Sequence, residues 1–175
     1  MCSVITHPIV PVALSVFVPR ETLSPTLLWA GMVCSVIPDL DVIGFQWGIR
    51  YPHMLAHRGL THSIVFAAVL GTLLTLTLFR HSPGGPWGVY LFLFCSTLSH
   101  ALLDMLTNGG RGVGLLVPFS PRRYFFPWRP IEVSPIGVWE FLSARGVVIL
   151  LNELKWVWLP SAVVFLAGYI VRRYR

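Results

Sequence analysis

The sequence predicts an all-α membrane protein, a polytopic bundle of four to five transmembrane helices that forms one domain over residues 1–175. Three observations support this fold class. Of the 175 residues, 55% are hydrophobic and only 11% are charged, whereas a soluble domain carries roughly a quarter charged residues. The mean hydropathy of +0.71 exceeds what a single soluble core of this size can hide. The apolar residues also form separate runs, as membrane-spanning helices require.

The net charge of +6 comes mainly from arginines in predicted loops and at the C-terminus, beside the apolar runs. This placement favours contact with anionic headgroups, so we expect membrane lipids as partners and no direct binding of nucleic acid. The three cysteines, Cys2, Cys34 and Cys95, are scattered and predict no disulfide framework. The N-terminus lacks the features of a signal peptide and is expected to belong to the first span.

The first apolar run covers about residues 4–18, is interrupted by prolines, and is short for a span. Ser24 followed by Pro25 is typical of a helix start, which predicts a second helix that ends at Pro38. A third helix is predicted over residues 60–79, because a turn rich in glycine and proline follows it.

The second half of the chain predicts two further spans and an interfacial region. A fourth helix is expected over residues 87–106, with glycines after its end. Residues 111–134 are rich in proline, arginine and aromatic side chains, and their central part, residues 122–129, indicates an anchor in the headgroup layer or a lid over a site. Residues 137–155 are expected to form an interfacial or partly inserted helix before the last span, 156–171. Pro160 leaves open whether these two are one helix.

Seven aspartates and histidines are predicted to meet at one membrane face. Consecutive spans run in opposite directions, so the starts of the first and third spans lie level with the ends of the second and fourth. These positions carry His7, Asp39, Asp41, His57, His62, His100 and Asp104. Ionisable groups at membrane depth are costly unless they are paired or coordinated, and such groups usually serve a function. We therefore expect a site at this face.

The residue types indicate a divalent metal. His100 and Asp104 are four residues apart, so their side chains project from the same face of a helix. Asp39 and Asp41 follow Pro38 in a predicted turn, where both carboxylates can face one side. Nitrogen and oxygen donors without thiolate favour zinc, with manganese or iron as alternatives. The sequence thus predicts one or two ions, with all seven residues as candidate ligands.

A metal centre of this kind supports hydrolysis, because a coordinated water loses its proton near neutral pH. Arg58, between two candidate ligands, is predicted to hold an anionic group of the substrate. Thr61 and Ser63 either donate hydrogen bonds to that substrate or cap the third helix. Asp41 is the candidate general base. Glu140 is either a further ligand or part of an ion pair with an arginine.

The same residues carry a resemblance to a known family. The matching blocks are Thr6-His7, Pro38-Asp39-Leu40-Asp41, His57-Arg58-Gly59-Leu60-Thr61-His62-Ser63, residues 98–107 and residues 112–119. In this order they resemble the YdjM-type family of membrane-bound, metal-dependent hydrolases, some of which are described as LexA-binding. The resemblance covers roughly residues 5–120. It implies a multi-pass protein of the prokaryotic inner membrane with metal-dependent hydrolase activity, and it names no substrate.

A looser similarity in ligand type connects the predicted site to zinc-dependent phospholipases C and related nucleases, which are helical phosphodiesterases. The expected function is therefore hydrolysis of a phosphoester or lipid-linked anionic substrate by a metal-activated water. The alternative is a non-catalytic membrane scaffold whose structural metal site supports binding of a regulatory protein partner. A metal or proton transporter is disfavoured, because the third and fourth predicted spans carry few ionisable groups away from the cluster.

Overall fold

The computed structural model describes residues 1–174. Within this range there are seven α-helices: α1 (Ile9–Leu14), α2 (Pro25–Cys34), α3 (Ile64–Thr77), α4 (Pro86–Met105), α5 (Val138–Phe141), α6 (Ala144–Glu153) and α7 (Leu159–Arg173). The described residues contain no β-strand, and their two β-bridges are isolated pairs in the loop after α4. The predicted all-α membrane bundle is confirmed.

Three helical stretches are long and apolar enough to cross a membrane: Pro25–Trp47, Pro86–Met105 and Ala144–Arg173. They contain 23, 20 and 30 residues. Helix α3 is a shorter apolar helix of 14 residues. At 1.5 Å per residue, 20 residues give about 30 Å, the thickness of the hydrocarbon core.

The first apolar run differs from the prediction. Instead of a span over residues 4–18, the chain forms the six-residue helix α1 and a 3₁₀ turn over Ser15–Phe17. Pro8 and Pro11 have no backbone N–H to donate, which prevents a regular helix from covering the whole run. The run therefore packs as a short segment against its neighbours.

Helix α2 begins as predicted, since Ser24 Oγ accepts a hydrogen bond from Leu27 N at 3.1 Å and Pro25 follows. Beyond α2, a loop was expected, but the structure has a 3₁₀ helix over Ile37–Trp47. A 3₁₀ helix turns about 120° per residue. Asp39 and Asp41, two positions apart in this helix, therefore point in different directions.

Helix α4 is the centre of the bundle and the C-terminal helix is at its edge. In an apolar stretch of 18 residues, 56% of the residues of Pro86–Met105 are buried, against 6% for Ala144–Arg173. Helices α2 and α4 share an apolar core around Leu27, Phe92 and Leu93. Residues near the C-terminal end of α4 are consequently shielded from lipid.

The last two predicted segments form one helix. Helices α6 and α7 are joined by a π-helical turn over Leu154–Trp158, which gives a continuous stretch over Ala144–Arg173. Pro160 lacks an N–H and its ring crowds the carbonyl four residues earlier. The wider π turn accommodates this proline, so residues 144–155 belong to the last span and not to a separate interfacial helix.

Helix α2 packs closely against α4 at Gly31. A Cβ at Gly31 lies 2.5 Å from Cε1 of Phe92, so we expect Gly31→Ala to destabilise the protein by about 1–3 kcal/mol. Gly88→Ala is the matched control within α4, since its Cβ has no neighbour closer than 3.6 Å. Thermal unfolding in detergent should show a lower Tm for Gly31→Ala alone. Equal Tm values would contradict this packing.

Candidate metal centre

Three segments bring four buried side chains together beside the C-terminal half of α4. Asp39 comes from the 3₁₀ helix after α2, and His62 from the turn before α3. His100 and Asp104 lie on one face of α4, as their spacing predicted. One donor atom from each residue lies within 4.8 Å of the other three, and all four residues are buried. The group is able to hold a metal ion.

The separations between the donor atoms fit a single ion. His62 Nε2 lies 3.0 Å from His100 Nε2, 3.8 Å from Asp39 Oδ1 and 3.6 Å from Asp104 Oδ2. His100 Nε2 lies 3.3 Å from Asp39 Oδ1. Zinc bonds of about 2.0–2.1 Å place neighbouring tetrahedral ligands about 3.3–3.4 Å apart. Small shifts of the side chains are therefore enough to coordinate one divalent cation.

The hydrogen bonds of the two imidazoles leave both Nε2 atoms as acceptors. His100 Nδ1 lies 2.7 Å from the carbonyl oxygen of Ser35, and only a protonated Nδ1 can donate to that carbonyl. Thr61 donates its one hydrogen to Asp41 Oδ2 at 2.7 Å, so its oxygen accepts from His62 Nδ1 at 3.1 Å. In the neutral rings both Nε2 lone pairs therefore face each other across 3.0 Å and require a cation between them.

A proton can fill this gap when no metal is bound. Burial of the imidazole lowers the pKa of His62, but the carboxylates of Asp104 and Asp41 outweigh that effect and raise the pKa to about 9. A metal that binds here takes the place of this proton, because a ligating histidine must be neutral.

The two carboxylates of the group differ in their partners. Neither Oδ1 nor Oδ2 of Asp39 has a hydrogen-bond partner among the described residues. Asp104 Oδ1 accepts a hydrogen bond from Cys2 N at 2.8 Å, and its Oδ2 lies 2.9 Å from Arg58 Nε in an ion pair. A buried carboxylate without partners is costly. Asp39 is therefore the side chain that most requires a bound cation.

Asp41 and His57 lie outside the group of four donors. They form a second group with His62 whose donor atoms are within 4.8 Å of one another. The oxygens of Asp41, however, already accept from Thr61 Oγ1 and from Arg58 N at 3.1 Å, and one lies 2.6 Å from His57 Nδ1. This is the position of an outer-shell carboxylate that orients a ligating histidine. Asp41 lies on the Nδ1 side of His62, at 3.3 Å, and so away from the Nε2 atoms between which an ion would sit; its role as a general base remains a prediction.

Arg58 makes its contacts within the protein. Its side chain is only 1% exposed, and besides the ion pair with Asp104 it donates to Gly109 O and Thr107 Oγ1, each at 3.0 Å. Its backbone is left-handed at φ 62°, which costs about 1 kcal/mol or more. The next residue, Gly59, has no room for a side chain, because a Cβ there would lie 2.1 Å from Met54 O. Arg58 thus holds Asp104 in place, and its predicted contact with a substrate remains a prediction.

The two hydroxyl residues of the motif are also engaged within the protein. Ser63 caps α3, because its Oγ accepts from Phe66 N at 3.1 Å. This is the second of the two alternatives, and Thr61 instead supports Asp41. Binding of a substrate by either hydroxyl remains a prediction.

His7 reaches the cluster without joining the four donors. Its ring stacks on His100 with centroids 3.7 Å apart, and burial lowers its pKa to about 3. Neither ring nitrogen has a hydrogen-bond partner within residues 1–174, so His7 remains a predicted ligand. Glu140, by contrast, is exposed, and the arginine near it, Arg145, pairs with Glu132.

Sequence reasoning missed three groups that contact the site or the N-terminal segment beside it. The carbonyl of Ser35 and the N–H of Cys2 belong to the backbone and leave no signature in the residue types. Glu153 is fully buried and binds the N-terminal segment. The available signal was that Glu153 is the single acidic residue of Ala144–Arg173.

The donor geometry predicts the metal content of variants. Wild-type protein purified in detergent should hold about one zinc per chain, and His62→Ala and His100→Ala should lose most of it, since each removes one donor. His81→Ala is the control, because His81 is exposed in the turn after α3. Elemental analysis measures the content, and zinc retained in both site variants would rule out this centre.

Comparison with known proteins agrees with the membrane bundle described above. The model of the YdjM inner membrane protein family matches residues 1–175. Inner membrane protein YbcI of Escherichia coli (strain K12) is 41% identical over 161 residues, which cover 92% of this chain and 93% of that protein. No solved structure matches the chain. These findings confirm a multi-pass protein of the inner membrane, and the chain belongs to the YdjM inner membrane protein family.

Proposed function

We propose that this protein is a membrane-bound, metal-dependent hydrolase that acts on an anionic phosphoester or lipid-linked substrate. The observation that carries the proposal is the buried convergence of two imidazole acceptors with the unpartnered carboxylate of Asp39. Asp39, His62 and His100 would hold one ion, with zinc favoured by the donor set. A divalent cation at such a site lowers the pKa of a coordinated water toward neutrality and so supplies a nucleophile.

Asp104 is the residue best placed to accept the proton of that water. Its Oδ2 lies 3.6 Å from His62 Nε2, beside the three proposed ligands. The contacts to Arg58 and to Cys2 N fix the carboxylate in one orientation, which general-base catalysis requires. This arrangement replaces Asp41 by Asp104 as the base and leaves Arg58 as its positioning residue.

Two arginines next to the centre support an anionic substrate. The guanidinium carbons of Arg111 and Arg123 lie 5.2 Å and 4.9 Å from the ring centroid of Tyr51. Arg123 Nη1 also donates to the carbonyls of His57 and Arg58, each at 3.1 Å. Within residues 1–174 neither Arg111 nor Arg123 forms an ion pair with an acidic side chain. Two cations that contact the same ring and have no acidic partner support binding of an anion in this region.

A second candidate function is a structural metal site in a membrane scaffold that binds a regulatory protein. The burial of the donors favours it, since Asp39 is 6% exposed, His62 1%, and His100 and Asp104 0%. Structural zinc sites are closed by four protein ligands, whereas catalytic sites use three and keep a position for water. In this alternative Asp104 is the fourth ligand.

Two isosteric variants separate these functions. Asp39→Asn should lose zinc, because it removes the only carboxylate ligand of the catalytic arrangement. Asp104→Asn should keep zinc and reduce hydrolysis by about 10²–10⁴-fold, as expected for loss of a general base. The measurements are zinc content and cleavage of bis-p-nitrophenyl phosphate and of phosphatidylglycerol vesicles. Loss of zinc in both variants, with no hydrolysis by the wild type, would establish the structural site instead.

The role of the arginines is tested on the same substrates. Arg111→Ala should raise KM for phosphatidylglycerol vesicles by about 10-fold or more with unchanged zinc content, because a charged hydrogen bond contributes about 1.5–3 kcal/mol. Arg80→Ala, an exposed arginine in the turn after α3, is the control for general loss of positive charge. Equal effects of the two variants would show that Arg111 has no specific part in binding.

A further inference from the structure

The C-terminal helix carries a single acidic side chain, Glu153, and that side chain is buried. Glu153 is the last residue of α6 and the only Asp or Glu in Ala144–Arg173. Most of this helix is exposed, yet Glu153 is 0% exposed. An acidic residue inside a membrane-spanning helix is costly and persists where it serves a purpose.

All the hydrogen bonds to this carboxylate come from the N-terminal segment. Oε1 accepts from Ser3 N at 2.5 Å and from Cys2 Sγ at 3.1 Å. Oε2 accepts from Ser3 Oγ at 2.5 Å and from Thr6 Oγ1 at 2.7 Å. Trp158, on the same helix, donates through Nε1 to Thr6 Oγ1 at 2.8 Å. No cationic side chain of residues 1–174 forms an ion pair with Glu153, so these hydrogen bonds provide its polar contacts.

The same segment contacts the candidate metal centre at two points. Cys2 N donates to Asp104 Oδ1 at 2.8 Å, and the ring of His7 stacks on His100 at 3.7 Å. Residues 2–7 therefore lie between Glu153 on one side and two site residues of α4 on the other. Glu153 accepts from Cys2 Sγ and Ser3 N, and Asp104 accepts from Cys2 N. A displacement of residues 2–7 therefore also moves the groups that contact Asp104 and His100.

We propose that Glu153 is a positioning residue that fixes residues 2–7 against the metal centre. It acts through Cys2, whose N–H orients Asp104, and through His7, whose ring limits the movement of His100. The proposal rests on the proposed function in treating the cluster as a metal centre. Loss of a partner that orients ligands from outside the first shell typically lowers metal affinity by about 10–100-fold.

The test compares Glu153→Leu with its conservative counterpart Glu153→Gln. We expect Glu153→Leu to lower zinc affinity by about 10–100-fold and to change the visible spectrum of the Co²⁺-substituted protein, because the ligands lose their fixed orientation. Glu153→Gln keeps an acceptor for Ser3 N and should restore most of the affinity and the wild-type spectrum. Zinc affinity is measured by competition with a chelator.

Asn152→Leu is the matched control on the same helix. Asn152 accepts from Glu132 N at 2.9 Å and donates to Pro130 O at 3.1 Å, so it anchors a different loop. It should lower the Tm without altering zinc affinity or the Co²⁺ spectrum. Wild-type affinity in Glu153→Leu, or equal losses in Glu153→Leu and Asn152→Leu, would overturn the positioning role.

A second readout works without metal and separates this proposal from the proposed function. Cys2 is 0% exposed and Cys34 1% exposed, so in a Cys95→Ala background a maleimide should label Cys2 slowly. Glu153→Leu should speed this labelling by about 10-fold or more, since the Cys2 thiol and Ser3 N lose their buried acceptor. A wild-type protein without zinc contradicts the proposed function alone, whereas unchanged labelling contradicts the placement by Glu153.

Discussion

Two imidazole nitrogens whose lone pairs face each other at 3.0 Å impose the main physical constraint on this molecule. Each ring is held by its other nitrogen, His100 on the carbonyl of Ser35 and His62 on Asp41 and Thr61. Neither ring can turn away without breaking a buried hydrogen bond. With Asp39 unpartnered beside them, the pocket is stable only around positive charge. The ends of α2 and α4 and the start of α3 are arranged to create that pocket.

The motif over residues 57–63 builds the frame of this pocket. His57 and Thr61 bind Asp41, which orients His62. Arg58 reaches in the opposite direction and neutralises Asp104. Ser63 then starts α3. Most side chains of the motif thus act on other residues of the site, which is how a buried polar cluster becomes rigid enough to hold one geometry.

The lipid-facing C-terminal helix takes part in the same organisation. It shares little of the bundle core, yet its one carboxylate gathers the hydrogen-bond donors of residues 2–6. Cys2 N of the same residues donates to Asp104, and His7, which follows them, stacks on His100. A helix at the periphery therefore influences the site through hydrogen bonds, whereas the helices of the core influence it through packing.

Patterns in the sequence predict the fold class and the main site residues. Runs of apolar residues predict the helices, and alternating helix direction predicts that Asp39, His62, His100 and Asp104 share one face. The i, i+4 spacing of His100 and Asp104 fixes their common direction on α4. The cap at Ser24 and the proline after it also mark the start of α2 correctly.

The roles within the site depend on contacts between distant residues, which no local pattern specifies. From the sequence, Arg58 is predicted to bind a substrate. In the structure it is buried against Asp104, 46 positions away along the chain, and stabilises that carboxylate. From the sequence, Asp41 is predicted to be the general base. In the structure the 3₁₀ helix points its carboxylate away from Asp39 and toward His57. Local sequence encodes which groups are polar and where helices begin. Tertiary packing decides which of those groups meet, because hydrogen-bond partners are chosen by distance in space and not by distance along the chain.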